Sequence, residues 1–123
     1  NLTSSFINPK KSVVAVESQL KTLTKRFEHK NLTWEYCTTE AFVKKSKLQF
    51  DACLADPPRA GISSMVLKKI NTIPNIFIIF CDIFQAFSDV EYLAKTHKIK
   101  NIILLDMFPQ TKHFECIIHF SST

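Results

Sequence analysis

The chain has 123 residues, 46% of them apolar and 22% charged, with 16 Lys and Arg against 11 Asp and Glu for a net charge of +5. That balance excludes a disordered segment and is enough for one compact domain with its own core. No apolar run approaches the ~20 residues of a membrane helix, and no basic stretch leads an apolar one at the start, so a membrane-free, cytoplasmic protein is expected.

In chain order, Ser12-Val13-Val14-Ala15-Val16 is a β-branched run that ends in Glu17 and predicts a buried parallel strand. Residues 18–29 follow with Leu20, Leu23, Thr24 and Phe27 at helical spacing and lysines on the other face. Thr33 to Cys37 predicts a second strand and Thr39 to Lys47 a short helix. Phe50 to Ala55 predicts a third strand, stopped by Asp56-Pro57-Pro58 because two prolines cannot continue a ladder. Ile62 to Asn71 reads as a helix with Ser63 or Ser64 as its cap.

Ile76 to Cys81 is the most apolar strand, and a helix from about Gln85 to Thr96 follows it. Asn101 to Leu105 and Phe114 to Phe120 predict the last two strands, with Ile102 to Leu105 read as buried. Phe108-Pro109-Gln110-Thr111 between them is too short for a crossover helix, so an antiparallel pair is expected. Strands alternating with helices give an α/β parallel sheet with an antiparallel end. Repeats, low-complexity stretches and linkers are absent from the sequence. With Gly61 as its single glycine, the chain carries no Gly-rich nucleotide loop of its own.

The basic residues cluster at Lys10/Lys11, Lys21/Lys25/Arg26/Lys30, Lys44/Lys45/Lys47, Lys68/Lys69 and Lys95/Lys98/Lys100. Together they favour a polyanionic partner such as RNA, although each cluster alone is more often an ordinary solvated face. The four cysteines are widely spaced without a CxxC, so no metal is expected, and reduced thiols are favoured over a disulfide framework. Cys37, Cys53 and Cys116 lie in apolar runs and read as buried small hydrophobes. His29, His97 and His119 offer no partner that the sequence identifies.

Three blocks stand apart: Asp56-Pro57-Pro58-Arg59-Ala60-Gly61, then Cys81-Asp82 after an apolar strand, then Asp106-Met107-Phe108-Pro109-Gln110-Thr111 with His113-Phe114-Glu115. Each follows or leads an apolar run, and in open α/β sheets reacting groups gather at the carboxyl ends of strands. In order and spacing these blocks resemble the RNA 5-methyluridine methyltransferases of the TrmA/RlmD type, over nearly the whole chain. That resemblance implies a class I, Rossmann-like S-adenosylmethionine-dependent methyltransferase fold and an RNA substrate, tRNA or rRNA.

By the same resemblance Cys81 is the nucleophile, Glu115 the base, and Asp56 a contact to the target base and cofactor. Arg59 is read as pairing with a phosphate or a carboxylate. Glu17 corresponds to the acid that holds the cofactor ribose, and Glu40 to the acid near the adenine. Asn1-Leu2-Thr3-Ser4 resembles the tail of the family's Gly-rich loop. The sheet is therefore expected without its first strand, as one partial catalytic domain that binds cofactor weakly or self-associates through an exposed edge.

The chain departs from the family at Phe80 and Ile83, where Ser and Pro are usual beside the nucleophile, and at Gln85 and Ser88, while Asp89 is kept. A thiolate that adds to uracil C6 activates C5 toward a methyl sulfonium, and a base must then remove the C5 proton before the thiol leaves. Cys81, closing a strand before a helix whose N-terminus lowers a thiol pKa, suits that task. The target must leave its stack to reach the thiol. Two rivals stand beside this reading: a decayed or truncated RNA-binding or assembly module of the same fold, and a methyltransferase acting on an amino group, which needs no thiol.

Overall fold

The structure, a computed structural model, describes residues 11–19, 28–82, 84, 86–107, 109–111 and 114–122. The helix expected over 18–29 and the family-like stretch Asn1-Leu2-Thr3-Ser4 lie outside these, as do Phe108, His113, Ile83 and Gln85. The chain divides into two compact units, Asn1–Ser46 and Lys47–Thr123.

In the first unit β1 (Val13–Val16) pairs in parallel with β2 (Leu32–Glu35), Val13 against Leu32 and Val16 against Glu35. The four residues of β1 are Val, Val, Ala and Val, stiff side chains that fit a pleated surface. Helix α1 (Thr39–Lys45) begins where the Thr38 hydroxyl accepts the Ala41 N–H at 3.2 Å. Glu40 in its first turn and Lys44 and Lys45 in its last match the helix dipole, and Phe42 is the face it buries. Lys45 Nζ donates to Glu35 Oε2 at 2.6 Å, a bond that raises the lysine pKa, although so exposed a pair adds little to stability.

The second unit is a four-stranded sheet in the order β3-β4-β6-β5, with β3 (Ala52–Ala55), β4 (Asn75–Phe80), β5 (Lys98–Leu105) and β6 (Glu115–Ser121). β3 and β4 are parallel; β6 is antiparallel to both β4 and β5, and so it is inserted between them. Helix α2 (Ser64–Ile70) links β3 to β4, and α3 (Phe87–Ala94) links β4 to β5. Ser63 is the N-cap residue of α2, as its position suggested, but its side chain makes no cap bond.

The core follows from the register. Ile76 opposes Phe120, Ile78 opposes Ile118 and Phe80 opposes Cys116, so these six share one face, and all are at most 2% exposed. Val66, Leu67 and Ile70 of α2, Leu93 of α3, and Ile73, Ile79 and Ala86 are also buried. On the other face Phe77 stacks on His119 with ring centroids 4.2 Å apart, and His119 Nε2 lies 3.3 Å from Asn75 Oδ1.

Two expectations are corrected here. Ile102, Ile103 and Leu104 are 57%, 50% and 65% exposed rather than buried, because β6 takes the inner position and leaves β5 at the sheet edge. The histidines do have partners: His97 is buried, its Nε2 2.9 Å from the Ile73 carbonyl and its Nδ1 2.9 Å from Thr96 Oγ1, and His29 Nδ1 accepts the Asn31 N–H. The Ile73 carbonyl reaches His97 from 24 residues away, whereas Thr96 and the Asn31 N–H are local partners. Among the described residues no helix is long and apolar enough to cross a membrane.

Candidate active site

Three of the candidate groups lie at one edge of the four-stranded sheet. β3 ends at Ala55 and β4 at Phe80, so Asp56 and Cys81 are the first residues past two parallel carboxyl ends. β6 runs the opposite way and starts at Glu115, which brings that carboxylate to the same edge. The last pair of the β4–β6 ladder is Phe80 with Cys116, so Cys81 leaves β4 directly beyond that pair and Glu115 enters β6 directly before it. Asp106, just past β5, marks the same edge.

The environments of the four thiols differ. Cys81 is exposed, Cys37 and Cys53 are half-buried, Cys116 is buried, and all four are free. Burial pushes the Cys53 thiol up to about 11 and raises that of Cys116 as well. Cys81 is thus the thiol that an incoming ring can reach. Cys37 lies past the end of β2, so its half-burial is that of a loop residue and not of a strand interior.

The loop after Cys81 is built differently from the expectation. α3 starts at Phe87, six positions on, so the thiol does not sit in the first turn of a helix, where the dipole acts. Instead the Asp82 carboxylate accepts the Phe84 N–H at 3.1 Å and the Asp82 carbonyl accepts the Ala86 N–H at 3.2 Å, a self-closed turn. Phe84 and Phe87 on this stretch are 87% and 65% exposed.

Asp56 and Arg59 are both exposed, and among the described residues no ion pair engages Arg59. The turn that carries Arg59 closes through the Gly61 N–H to the Pro58 carbonyl at 2.9 Å. Gly61 has φ +83°, and a Cβ there would meet Asp89 Oδ2 at 2.8 Å. Asp89, singled out in the sequence only as a retained family residue, is 5% exposed and accepts the Ile62 N–H at 2.8 Å. A lone glycine two residues after Arg59 was the available signal for so close an approach. Gln110, in the turn between β5 and β6, also has a left-handed φ of 68°.

Glu17 and Glu40 belong to the first unit. Glu17 directly follows β1, its N–H donates to the Glu35 carbonyl at 3.0 Å, and its Oε1 accepts the Gln19 N–H at 2.7 Å. Glu40 is exposed in the first turn of α1, just beyond β2. Both acids therefore follow the carboxyl ends of parallel strands.

A groove of about 700 Å³ lined by Leu48, Phe50, Met65, Lys68 and Ile73 opens beside the amino ends of β3 and β4, away from the thiol. Lys69 on its wall donates to the Leu48 carbonyl. Among the described residues no group of three or more His, Cys, Asp or Glu could hold a metal ion.

The second unit is a mixed α/β sheet with one inserted antiparallel strand, carrying a thiol and two carboxylates at one edge. Residues 20–123 match the family described as tRNA (Uracil-5-)-methyltransferase, and the chain belongs to that family. It is 38% identical over 68 residues to the tRNA/tmRNA (uracil-C(5))-methyltransferase of Shigella flexneri serotype 5b, covering 55% of this chain and 19% of that protein. The enzyme of the same description from Escherichia coli O157:H7 is 36% identical over 70 residues, again with 57% and 19% covered.

The crystal structure of Pyrococcus abyssi tRNA (uracil-54, C5)-methyltransferase in complex with S-adenosyl-L-homocysteine superposes with a TM-score of 0.60 at 29% identity, over 72% of this chain and 22% of that one. The fold is thus the class I S-adenosylmethionine-dependent methyltransferase fold. The chain spans about a fifth of the length of these relatives.

Proposed function

We propose that the chain carries the catalytic end of an RNA uracil C5-methyltransferase that works through a cysteine adduct. One observation supports the reading: the exposed thiol Cys81 directly follows β4, and the half-buried carboxylate Glu115 opens the neighbouring antiparallel β6 at the same edge of the sheet. In this reading the Cys81 thiolate bonds to C6 of a flipped uracil, and the electron pair moves onto the O4–C4–C5 system. S-adenosylmethionine supplies an electrophilic methyl group. Once C5 is methylated, Glu115 takes the C5 proton, the C5–C6 double bond re-forms and the thiolate departs. Asp56, one step past β3, holds the target ring, while Arg59 on the exposed turn pairs with a backbone phosphate.

The residues fit the cofactor. Glu17 accepts one N–H and, as a carboxylate at a strand end, has further acceptor sites that would hold two ribose hydroxyls; Glu40, in the first turn of the helix after the neighbouring strand, would lie near the adenine. The net charge of +5 suits an RNA partner, and four free thiols suit a cytoplasmic setting. Phe80, 2% exposed in the core where the family usually has Ser, favours the second reading, an RNA-binding relative that has lost catalysis.

Covalent trapping separates the two. The chain, S-adenosylmethionine and an RNA stem-loop containing 5-fluorouridine are mixed and the intact mass is measured, because fluorine at C5 blocks the proton removal that frees the thiol. The expected result is a protein–RNA adduct carrying a methyl group and lost in Cys81→Ala. With ordinary uridine, Glu115→Gln accumulates the same methylated adduct. RNA binding without any adduct refutes the catalytic reading.

A further inference from the structure

We propose that Asp89 is a positioning residue that locks the turn bearing Asp56 and Arg59 to the loop bearing Cys81. The inference rests on the methyl transfer proposed above for Cys81. Neither block can aim its own side chain: Asp56 stands before two prolines on an exposed turn, and Cys81 opens a surface loop. The two blocks belong to different strand ends, and hydrogen bonds join them through Asp89.

From the thiol side, the carbonyl of Asp82, next to Cys81, accepts the Ala86 N–H at 3.2 Å, and the Ala86 carbonyl accepts the Asp89 N–H at 3.0 Å. Asp89 sits in the first turn of α3, where its carboxylate also complements the helix dipole. From the Asp56 side, the Pro58 carbonyl accepts the Gly61 N–H at 2.9 Å, and the next amide, that of Ile62, donates to Asp89 Oδ2 at 2.8 Å. The fit around the carboxylate is tight, since a Cβ on Gly61 would lie 2.8 Å from that same oxygen. The single glycine of the chain stands where the turn must pass over a buried acid. A bond from N–H to a charged acceptor holds both strand-end blocks in one geometry, and reacting groups must be held to within a fraction of an ångström.

The test measures amide hydrogen exchange at Ile62 and the rate of adduct formation on 5-fluorouridine RNA, in the same chain. In Asp89→Ala exchange at Ile62 rises at least about tenfold, while β4 and β6 amides keep their protection. The adduct forms on the order of a hundredfold more slowly at saturating RNA, with the RNA half-saturation concentration little changed. Asp89→Asn, which keeps an oxygen acceptor, restores both within a few-fold. Asp89→Glu keeps the charge but shifts the acceptor by one methylene, and its expected phenotype follows Asp89→Ala; it replaces Asp89→Ala if that variant does not fold.

Wild-type adduct rates in both Asp89→Ala and Asp89→Glu overturn the proposal, as does unchanged exchange at Ile62. If the wild-type chain forms no adduct, the methyl-transfer reading fails instead, and the exchange arm alone decides whether Asp89 ties the turn.

Discussion

Gly61→Ala is expected to destabilise the second unit by about 2.5–5 kcal/mol, and the figure divides into two physical parts. Gly61 has φ +83°, a left-handed conformation that costs an L residue about 1–2 kcal/mol. The added methyl would also sit 2.8 Å from Asp89 Oδ2, so the carboxylate must move off the Ile62 N–H. Losing a hydrogen bond to a buried charged acceptor costs about 1.5–3 kcal/mol. The sum is a large share of the roughly 5–15 kcal/mol that stabilises an ordinary domain.

Urea unfolding followed by circular dichroism measures it, and a double-mutant cycle with Asp89→Ala divides it. In the Asp89→Ala background the collision is gone and only the backbone part, about 1–2 kcal/mol, remains, which predicts a coupling of roughly 1.5–3 kcal/mol between the two sites. A Gly61→Ala cost below about 1 kcal/mol, or the same cost in both backgrounds, would refute the reasoning.

Cys53 predicts a loss of stability in alkali. Its folded pKa near 11 lies above the ordinary thiol value, so its contribution is whole below that ordinary value and fades as pH climbs through 11, by at most about 3 kcal/mol; a Cys53→Ser variant with an equal alkaline loss would count against this. At pH 7 iodoacetamide is expected to modify Cys81 first and Cys116 last, read by peptide mass, because the first is exposed and the second buried. Phe84, 87% exposed on the thiol-bearing loop, is placed to stack on an unpaired base, so Phe84→Ala should weaken RNA binding by about 1–3 kcal/mol with little effect on the adduct rate at saturation; unchanged affinity by fluorescence anisotropy removes that role.

The eight-residue edge strand β5 presents Ile102, Ile103 and Leu104 between Lys98 and Lys100 at one end and Asp106 beyond the other. Antiparallel pairing with β5 of a second copy joins unlike charges, so sedimentation should show a concentration-dependent dimer that Ile102→Lys abolishes. A monomer throughout the micromolar range excludes it.

Local order along the chain was legible before the structure. Alternating β-branched and helical runs set out all six strands and the three described helices, each within a few residues. The double proline ended β3 where a ladder has to stop, and the short connection after Leu105 dictated an antiparallel pair. The three blocks around Asp56, Cys81 and Glu115 were equally visible, because residue type and spacing along the chain carry them.

Tertiary structure decided what depends on distant partners. Insertion of β6 between β4 and β5 both brings Glu115 to the edge of the sheet that Cys81 leaves and puts Ile102 to Leu104 on an edge strand; an apolar run looks the same in sequence whether its strand ends up central or at an edge. The burial of His97 against the Ile73 carbonyl, 24 residues away, and the seat of Asp89 under Gly61, 28 residues away, arise from packing between elements. No periodicity encodes such contacts, since hydrogen bonds and close approaches across a core are set by where whole strands and helices come to rest.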